Sequence, residues 1–583
     1  MYFTSTYVGR VASVAWGVLT LAWTSGAWAA AYYVAPGGTG DGSSGSPWGA
    51  IQAAVASTSP VVGGDTIVVK VGTYSLPSAV DFQKSGSAGH PISIVAETGV
   101  VLNVTASSTP SGALDLSNVH DWVIDGFRLN DASHYGIALH GCTNVTVQNC
   151  YVYRAQASAI IVEVSNWGSD DIYPVPQNWG IKILNNTFEQ ANWNQGDNEG
   201  VSLWATDGFE IAGNTLIDCQ HEGIDVKTGS RNGSVHHNTV RGENNRYGGT
   251  GMGVYIDGWH YDTYNIDVYD NVVHDSEEGF EIQCEDCNKA GTSGSVHDVR
   301  IFNNVVYHNT DILGSGWKGR GMSFFGNTGS HPVHDVHVFN NTFVGSQMLG
   351  IHVDNPDIQN LFIRNNIIVN NGSADVQIDS ATSVTVENNI LSRAVSNSIG
   401  AALTANGNSV IDPLFGNATG NDYHLQSASP AIDKASGTDV ATSDFDGKTR
   451  PIGAAADLGA FEYDTSAASG GASAIGGASA GGAAGSGGAL VTGGASASNG
   501  TSLGGGSSAT GGALGTGGTA GGGDATGGET SSTEASSGGA QNKGSCSCRA
   551  AGGRARGWLV AVVLGLAGTV CRRRARPRAR ANG

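Results

Sequence analysis

The chain has 583 residues, a formal net charge of -21, 88 glycines and only 14% charged residues. Roughly 430 residues precede a low-complexity tract, enough for a large core. Its basic side chains gather at the C-terminus (Arg549, Arg554, Arg556 and Arg572 to Arg580), so the rest is more acidic than the total. An acidic surface excludes nucleic acid as a partner, because phosphate binding needs the opposite sign, and it suits divalent cations.

In chain order, residues 1–29 read as a secretory signal: Arg10, an apolar stretch from Val11 to Trp23, then Ala27-Trp28-Ala29 as a small-x-small cleavage site. Residues 30–463 read as one repeat domain. Tyr32-Tyr33-Val34-Ala35-Pro36 starts a strand, Pro47 to Val55 makes a short amphipathic helix, and Gly64 to Tyr74 enters the first rung. A solenoid needs such an N-terminal cap because its end rung exposes core and unpaired edges.

Between residues 118 and 391 a period-2 strand ending in Asn recurs. It appears as Asn144–Asn149, Gly180–Asn186, Gly208–Asn214, Gly233–Asn238, Asn265–Asn271, Val299–Asn304, Val336–Asn341, Leu361–Asn366 and Val384–Asn389. The copies lie roughly 23 to 37 residues apart. One such strand cannot bury its apolar face alone, whereas stacked copies make a continuous core, and the Asn amides can bond from rung to rung. The fold class is therefore all-β: a right-handed parallel β-helix solenoid.

A second phrase (any residue, Gly, apolar, any, apolar, any) lies between these strands. It begins at Glu199, Glu222, Met252, Glu278, Arg320 and Leu349. Alternation puts its apolar positions inside, and the remaining ones are expected to face solvent in three columns. The middle column reads Ser202, Asp225, Tyr255, Glu281, Ser323, His352. The third reads Trp204, Lys227, Asp257, Gln283, Phe325, Asp354. Carboxylates at one stacking distance repel unless a cation neutralises them. Ca²⁺ is the usual hard-ligand solution, with Asp197, Glu199, Glu222 and Asp225 as donors. The alternative is a solvated acidic face in which Lys227 pairs with Asp225 or Asp257.

Aromatic residues near these rungs (Trp204, Tyr255, Trp259 and others, including Trp167, Trp179, Trp193 and Trp317) suit sugar rings. The long excursions 163–180, 191–198, 242–251 and 284–297 can wall a groove for an extended polymer. Two chemistries compete. β-Elimination on a uronate needs a base beside a cation, which Lys227 with Glu222 and Asp225 supplies, and Arg231, Arg246 or Lys318 can neutralise the substrate carboxylate. Hydrolysis needs two separated carboxylates, for which Asp225, Asp257 and Glu281 stand ready. A glycan-binding or structural surface protein is a third reading.

Asp412-Pro-Leu-Phe415, Ser429 to Asp433 and Asp457 to Tyr463 read as a closing segment. Residues 464–545, almost entirely Gly, Ala, Ser and Thr, read as a disordered linker. Residues 546–583 hold Cys546-Ser-Cys548, an apolar stretch from Trp558 to Val570 and an Arg-rich end. This stretch is short for a permanent span, so the segment reads as a sorting sequence, with a membrane anchor as the alternative. Of eight cysteines, Cys142 and Cys150 lie near each other, and Cys284-x-x-Cys287 suits a structural staple.

Tyr32 to Gly38, Gly64 to Tyr74, the Asn-Asn rungs and the Ser429–Asp433 and Asp457–Tyr463 phrases together resemble the pectate-lyase-like right-handed β-helix superfamily, over about 31–463. Family 9 pectate lyases in it bind Ca²⁺ through an Asp on one rung and an Asp-Asp-Gly-x-Asp phrase on the next. The matching phrase here is His221-Glu222-Gly223-Ile224-Asp225, one ligand becoming His, with Asp197 or Glu199 before it. That family's downstream Lys base falls near Tyr261, where no Lys occurs. Family 6 lyases carry a Glu five residues before a catalytic Lys, the spacing of Glu222 and Lys227, and their partner Arg falls near Arg246.

The resemblance implies a lyase acting on an acidic polysaccharide, with Lys227 and Arg246 in the chemistry; the column register adds Asp257 to them. From the columns and aromatics, Trp204, Arg231, Tyr255, Trp259 and Glu281 are expected to bind substrate, and Asp197, Glu199, Glu222 and Asp225 to hold Ca²⁺. The tail resembles the Cys-containing sorting signal of myxobacterial surface proteins. It implies export and C-terminal sorting partners and display on the outer surface or in the envelope; the chain is expected to be a monomer.

Overall fold

The structure is a computed structural model that describes residues 29–104, 112–165, 174–194, 198–244, 251–285, 287, 293–316, 318–326 and 332–464. Residues 1–28 and 465–583, where the signal, most of the linker and the sorting segment are expected, lie outside these. So do Asp197, Arg246, Trp167 and Trp317.

Short strands wind into three sheets of 14, 12 and 13 strands. Beyond the first pair, each strand bonds to the strand three places later in the chain, always in parallel, so one coil uses one strand from each sheet. Alternation explains the core. In Val296–Phe302 the buried residues Val296, Val299 and Ile301 stack on Val333, Val336 and Val338 of the next coil. The result is a right-handed parallel β-helix with almost no helix. Among the described residues no helix is long and apolar enough to cross a membrane.

The Asn-Asn phrase divides its labour between two positions. The first residue turns the corner in the left-handed region, as Asn303 (φ 55°), Asn340 (φ 51°) and Asn365 (φ 57°) do, a conformation Asn tolerates better than most residues. The second is buried and bonds along the axis. Asn271 Nδ2 donates to Asn304 Oδ1 at 2.9 Å, Asn304 Nδ2 to Asn341 Oδ1 at 2.9 Å, and Asn341 Nδ2 to Asn366 Oδ1 at 3.0 Å. The same oxygens accept the backbone N–H of the preceding Asn. This ladder runs from Asn186 to Asn408.

At the N-terminal end Ala31–Val34 pairs with Thr66–Val69, and the helix Ile51–Val55 buries Ile51, Ala54 and Val55, forming the expected cap. The closing segment instead turns back along the coil. Ser443 O accepts from Asn303 Nδ2 at 2.7 Å, Asp457 O from Asn340 Nδ2 at 3.0 Å, and Lys434 O from Asn388 Nδ2 at 2.7 Å. The corner Asn amides that point outward need acceptors, and this segment supplies them. A buried Arg450 Nη1–Glu462 Oε1 pair at 2.9 Å holds it. Cys284 and Cys287 form a disulfide, whereas Cys142, Cys150 and Cys219 are free and buried.

Candidate functional site

The second sequence phrase forms the 12-stranded sheet. Its register matches the three expected columns. Glu222 pairs with Met252, Glu278 and Arg320 in turn, Asp225 with Tyr255, Glu281 and Ser323, and Lys227 with Asp257 and Gln283. The glycine is required by close approach: a Cβ at Gly223 would meet Gly253 O at 2.6 Å and Val240 Cγ1 at 2.7 Å.

One expectation is corrected. The column side chains do not stand in open solvent: Glu222, Asp225, Asp257, Glu278 and Glu281 are each at most 3% exposed. Their neighbours along each column cover them, and connections close over them from the side. Glu285 N donates to Asp257 Oδ1 at 2.9 Å, and the Trp259 ring lies edge-on to Trp204 with centroids 5.0 Å apart.

Glu199, Glu222 and Asp225 converge, with one oxygen from each lying within 4.8 Å of the others. Lys227 Nζ sits among them, 2.6 Å from Glu199 Oε1 and bonded to Asp225 Oδ2. The same ammonium lies 5.0 Å from the Trp204 ring centroid. His221, in the left-handed region at φ 72°, bonds Glu222 Oε2. Burial pushes the Asp225 carboxyl well above its usual range; Lys227 opposes this, and Glu199 and Glu222 reinforce it. Burial would also strip the Lys227 proton, but Asp225, Glu199 and Glu222 outweigh it and hold the ammonium well above the ordinary lysine range. Burial lowers His221, Glu222 raises it, and the net result is about 9. Asp225 Oδ1 finds no hydrogen-bond donor among the described residues.

Two coils further on, Glu278 is surrounded by Lys318 Nζ at 3.0 Å, Arg320 Nη1 at 3.5 Å and the Ser323 hydroxyl. Burial raises Glu278, yet Lys318 and Arg320 hold it below the usual carboxylate range. Lys318 and Arg320 act on Glu281 as well, but they do not offset its burial. Burial, with Glu278 adding to it, pushes Glu281 well up.

The structure thus gathers Glu199, Glu222, Asp225, Lys227 and Trp204, with Trp259 against Trp204. Tyr255, Asp257 and Glu281 lie on the following coils of the same sheet. Arg231 is placed elsewhere: it lies on the 14-stranded sheet, where its Nε bonds Asp207 Oδ2 at 3.0 Å. Asp197 and Arg246 lie outside the described residues. Sequence reasoning missed His140 and Glu163, which extend the Lys227 column toward the N-terminus. Gly136-Ile-Ala-Leu-His140 and Ala159-Ile-Ile-Val-Glu163 carry its signature, the first intact and the second with Ala for Gly.

A carboxylate trio with an unsatisfied oxygen fits a hard divalent cation such as Ca²⁺. An all-oxygen, thiol-free donor set does not fit zinc's usual preference for nitrogen and sulfur.

Two family models match the chain. One, described as Pel9A-like, right handed beta helix region, covers residues 32–171; the other, right handed beta helix region, covers residues 112–290. No curated protein matches. Solved structures of similar fold include pectate lyase Pel9A, at 18% identity, covering 75% of this chain and 97% of that one with a TM-score of 0.40. XylC in complex with xylose is 11% identical, with coverage of 74% and 98% and a TM-score of 0.42. An alginate lyase from Paenibacillus sp. is 13% identical, with coverage of 53% and 96% and a TM-score of 0.36. The two models together match residues 32–290, and the three-sheet coil continues beyond them through Ser409–Val410.

Proposed function

We propose that the protein is a polysaccharide lyase that cleaves a uronate-containing polymer by cation-assisted β-elimination. The observation that carries this reading is the convergence of Glu199, Glu222 and Asp225 around the Lys227 ammonium. Ca²⁺ held by these three carboxylates would supply positive charge for the substrate carboxylate and for the enolate that develops from it. Once their charge is neutralised, the carboxylates no longer hold the proton on Lys227, and its amine is freed to take the proton α to the substrate carboxylate. Lys227 is the right end of the trio for this task. Its side chain is 13% exposed, whereas Asp225 is fully buried. Trp204 and Trp259 give that opening an aromatic wall for a sugar ring.

Arg246 belongs to the reading as the neutralising partner implied by family 6 spacing, Asp197 as a fourth ligand, and Asp257 as a polar group beside Lys227. In the same reading residues 1–29 direct export, and the linker and residues 546–583 display the domain at the outer surface as a monomer.

A second reading, hydrolysis, draws on Glu281. Its raised pKa suits a general acid, and its column position is two coils from Asp225, about 9.6 Å. One experiment separates the two. Purified protein is incubated with pectate, alginate and glycosaminoglycans, with Ca²⁺ or with chelator. The lyase reading expects an ultraviolet-absorbing unsaturated product that needs the cation and disappears in Lys227→Ala. New reducing ends without that absorbance would overturn it in favour of hydrolysis, and no product from any polymer would leave a glycan-binding protein.

A further inference from the structure

A phrase outside the carboxylate columns recurs at the corners of the coil. His-Asp stands at His120-Asp121, His274-Asp275, His297-Asp298 and His334-Asp335. In each the Asp turns the chain in the left-handed region, with φ of 57°, 53°, 52° and 54°. Its Oδ2 bonds the Nδ1 of the His before it, at 2.8, 2.7, 2.7 and 2.8 Å. A carboxylate only accepts, so the imidazole proton sits on Nδ1 and Nε2 keeps its lone pair. Metal-ligating imidazoles are held in this way: a carboxylate on one nitrogen fixes the tautomer and makes the other more basic.

A solitary phrase of this kind is a corner device, but two of the four coincide. His297 pairs with His334 on adjacent coils of the 14-stranded sheet. Their rings stack with centroids 4.8 Å apart and planes 2° from parallel. Each Nδ1 is tied to an equivalent Asp, so the two Nε2 atoms face the same way, one rung apart. The rung neighbours of the other two are not histidines: His120 pairs with Thr143, and His274 with Arg241 and Tyr307.

The surroundings suit a cation. Tyr264 stacks on the other face of His297, with centroids 4.9 Å apart, and Asn360 Nδ2 donates to Asp335 Oδ1 at 3.0 Å, steadying the second carboxylate. The neighbouring Arg300 is bonded through two nitrogens to Asp267, so its charge does not oppose an ion. The His297 and His334 side chains are 21% and 37% exposed. Their Nδ1 atoms are committed to Asp298 and Asp335, and neither Nε2 has a partner among the described residues.

We propose that His297 and His334 form a chelating site for a divalent transition-metal ion of the zinc, nickel or copper class, with water in the remaining positions. Such ions take imidazole readily, whereas Ca²⁺ takes oxygen, so this pair and the carboxylate trio select different metals. At metal–nitrogen distances of about 2.0–2.1 Å, two tetrahedral donors lie about 3.3 Å apart, which the rings reach if each Nε2 tilts about 0.8 Å toward the other. The ion would tie two successive coils together on a different sheet from Lys227, and the site does not rest on the lyase reading.

Calorimetric titration of the full chain with Ni²⁺ tests it, with Ca²⁺ in excess so that the carboxylates do not compete. One Ni²⁺ site is expected. It should weaken at least about tenfold in His297→Ala and in His334→Ala, since loss of even an outer partner of a metal ligand costs about 10–100-fold. His274→Ala removes an equivalent but solitary phrase and should leave the site unchanged. Both paired histidines stand at the surface, and circular dichroism confirms that the variants fold. Unchanged Ni²⁺ affinity in a folded His297→Ala or His334→Ala protein overturns the site. So does an equal loss in His274→Ala, or no Ni²⁺ binding by the unmodified chain.

Discussion

The Asn ladder and the carboxylate columns are built by the same repeat, one rung spacing apart, yet they obey opposite rules. An amide carries both donors and acceptors, so identical residues complement one another. Asn304 accepts from Asn271 and donates to Asn341 without needing any other residue type. A carboxylate only accepts, so a column of them needs foreign cations. Around Glu278 the chain supplies two, Lys318 and Arg320, and the carboxyl is held low. Around Asp225 the balance differs: it is pushed up, and one of its oxygens finds no donor among the described residues. The difference teaches where to look for a ligand, namely where stacked like charges exceed what the fold neutralises.

The largest expected effect comes from the deficient column. Lys227→Ala should lower elimination rates by about 10²–10⁴-fold, the usual contribution of a general base, measured as initial rates with saturating Ca²⁺. Unchanged rates would remove Lys227 from the chemistry and weaken the contrast drawn here.

The neutralised column should answer in stability. Arg320→Met leaves Glu278 with Lys318 alone and should cost about 3–5 kcal/mol in denaturant unfolding. The double variant Glu278→Met, Arg320→Met should recover most of that loss. Failure to recover would mean that the pair is more than a self-contained charge balance.

The ladder is tested by Asn304→Ala and Asn304→Asp. Alanine leaves the buried Asn271 N–H unpaired and should cost about 1–3 kcal/mol. Aspartate keeps an acceptor for Asn271 but faces Asn341 Oδ1 with no donor, so it should cost more than alanine at pH 8. If aspartate proves the milder change, the amide's double character is not what holds the ladder.

A pH-dependent effect lies where the chain itself places a carboxylate in an amide column. Asp270 occupies the corner position held elsewhere by Asn303, Asn340 and Asn365. Burial pushes it up to about 7, against a hydrogen bond from Asn303. The folded state therefore keeps a proton that the unfolded chain has lost. Stability from this group is full below its unfolded pKa and falls as pH rises from about 4 through 7. Asp270→Asn should remove that slope and raise stability at pH 8 relative to pH 5, read from melting curves at the two pH values.

Much of this was legible in the residues. Repeated Asn-terminated strands announced the coil, and Gly at a fixed place in the second phrase set the register that paired Glu222 with Met252 and Lys227 with Asp257. Arg231 shows the limit. It follows Lys227 by only four residues, yet the chain turns a corner between them and bonds Arg231 to Asp207 on another sheet. In the phrase that ends at Glu163, Ala159 replaces the marker glycine, although the pairing register does not need it.

By itself the sequence determined the all-β coil, the amide ladder and which residues share a column, because these follow from strand alternation and a repeat read along one dimension. The tertiary structure decided burial. Whether Glu222 and Asp225 meet water or one another, whether Lys227 is clasped or free, and which face receives Arg231 depend on connections of unequal length folding over the sheet. Desolvation sums over all neighbours at once, and no one-dimensional pattern contains that sum.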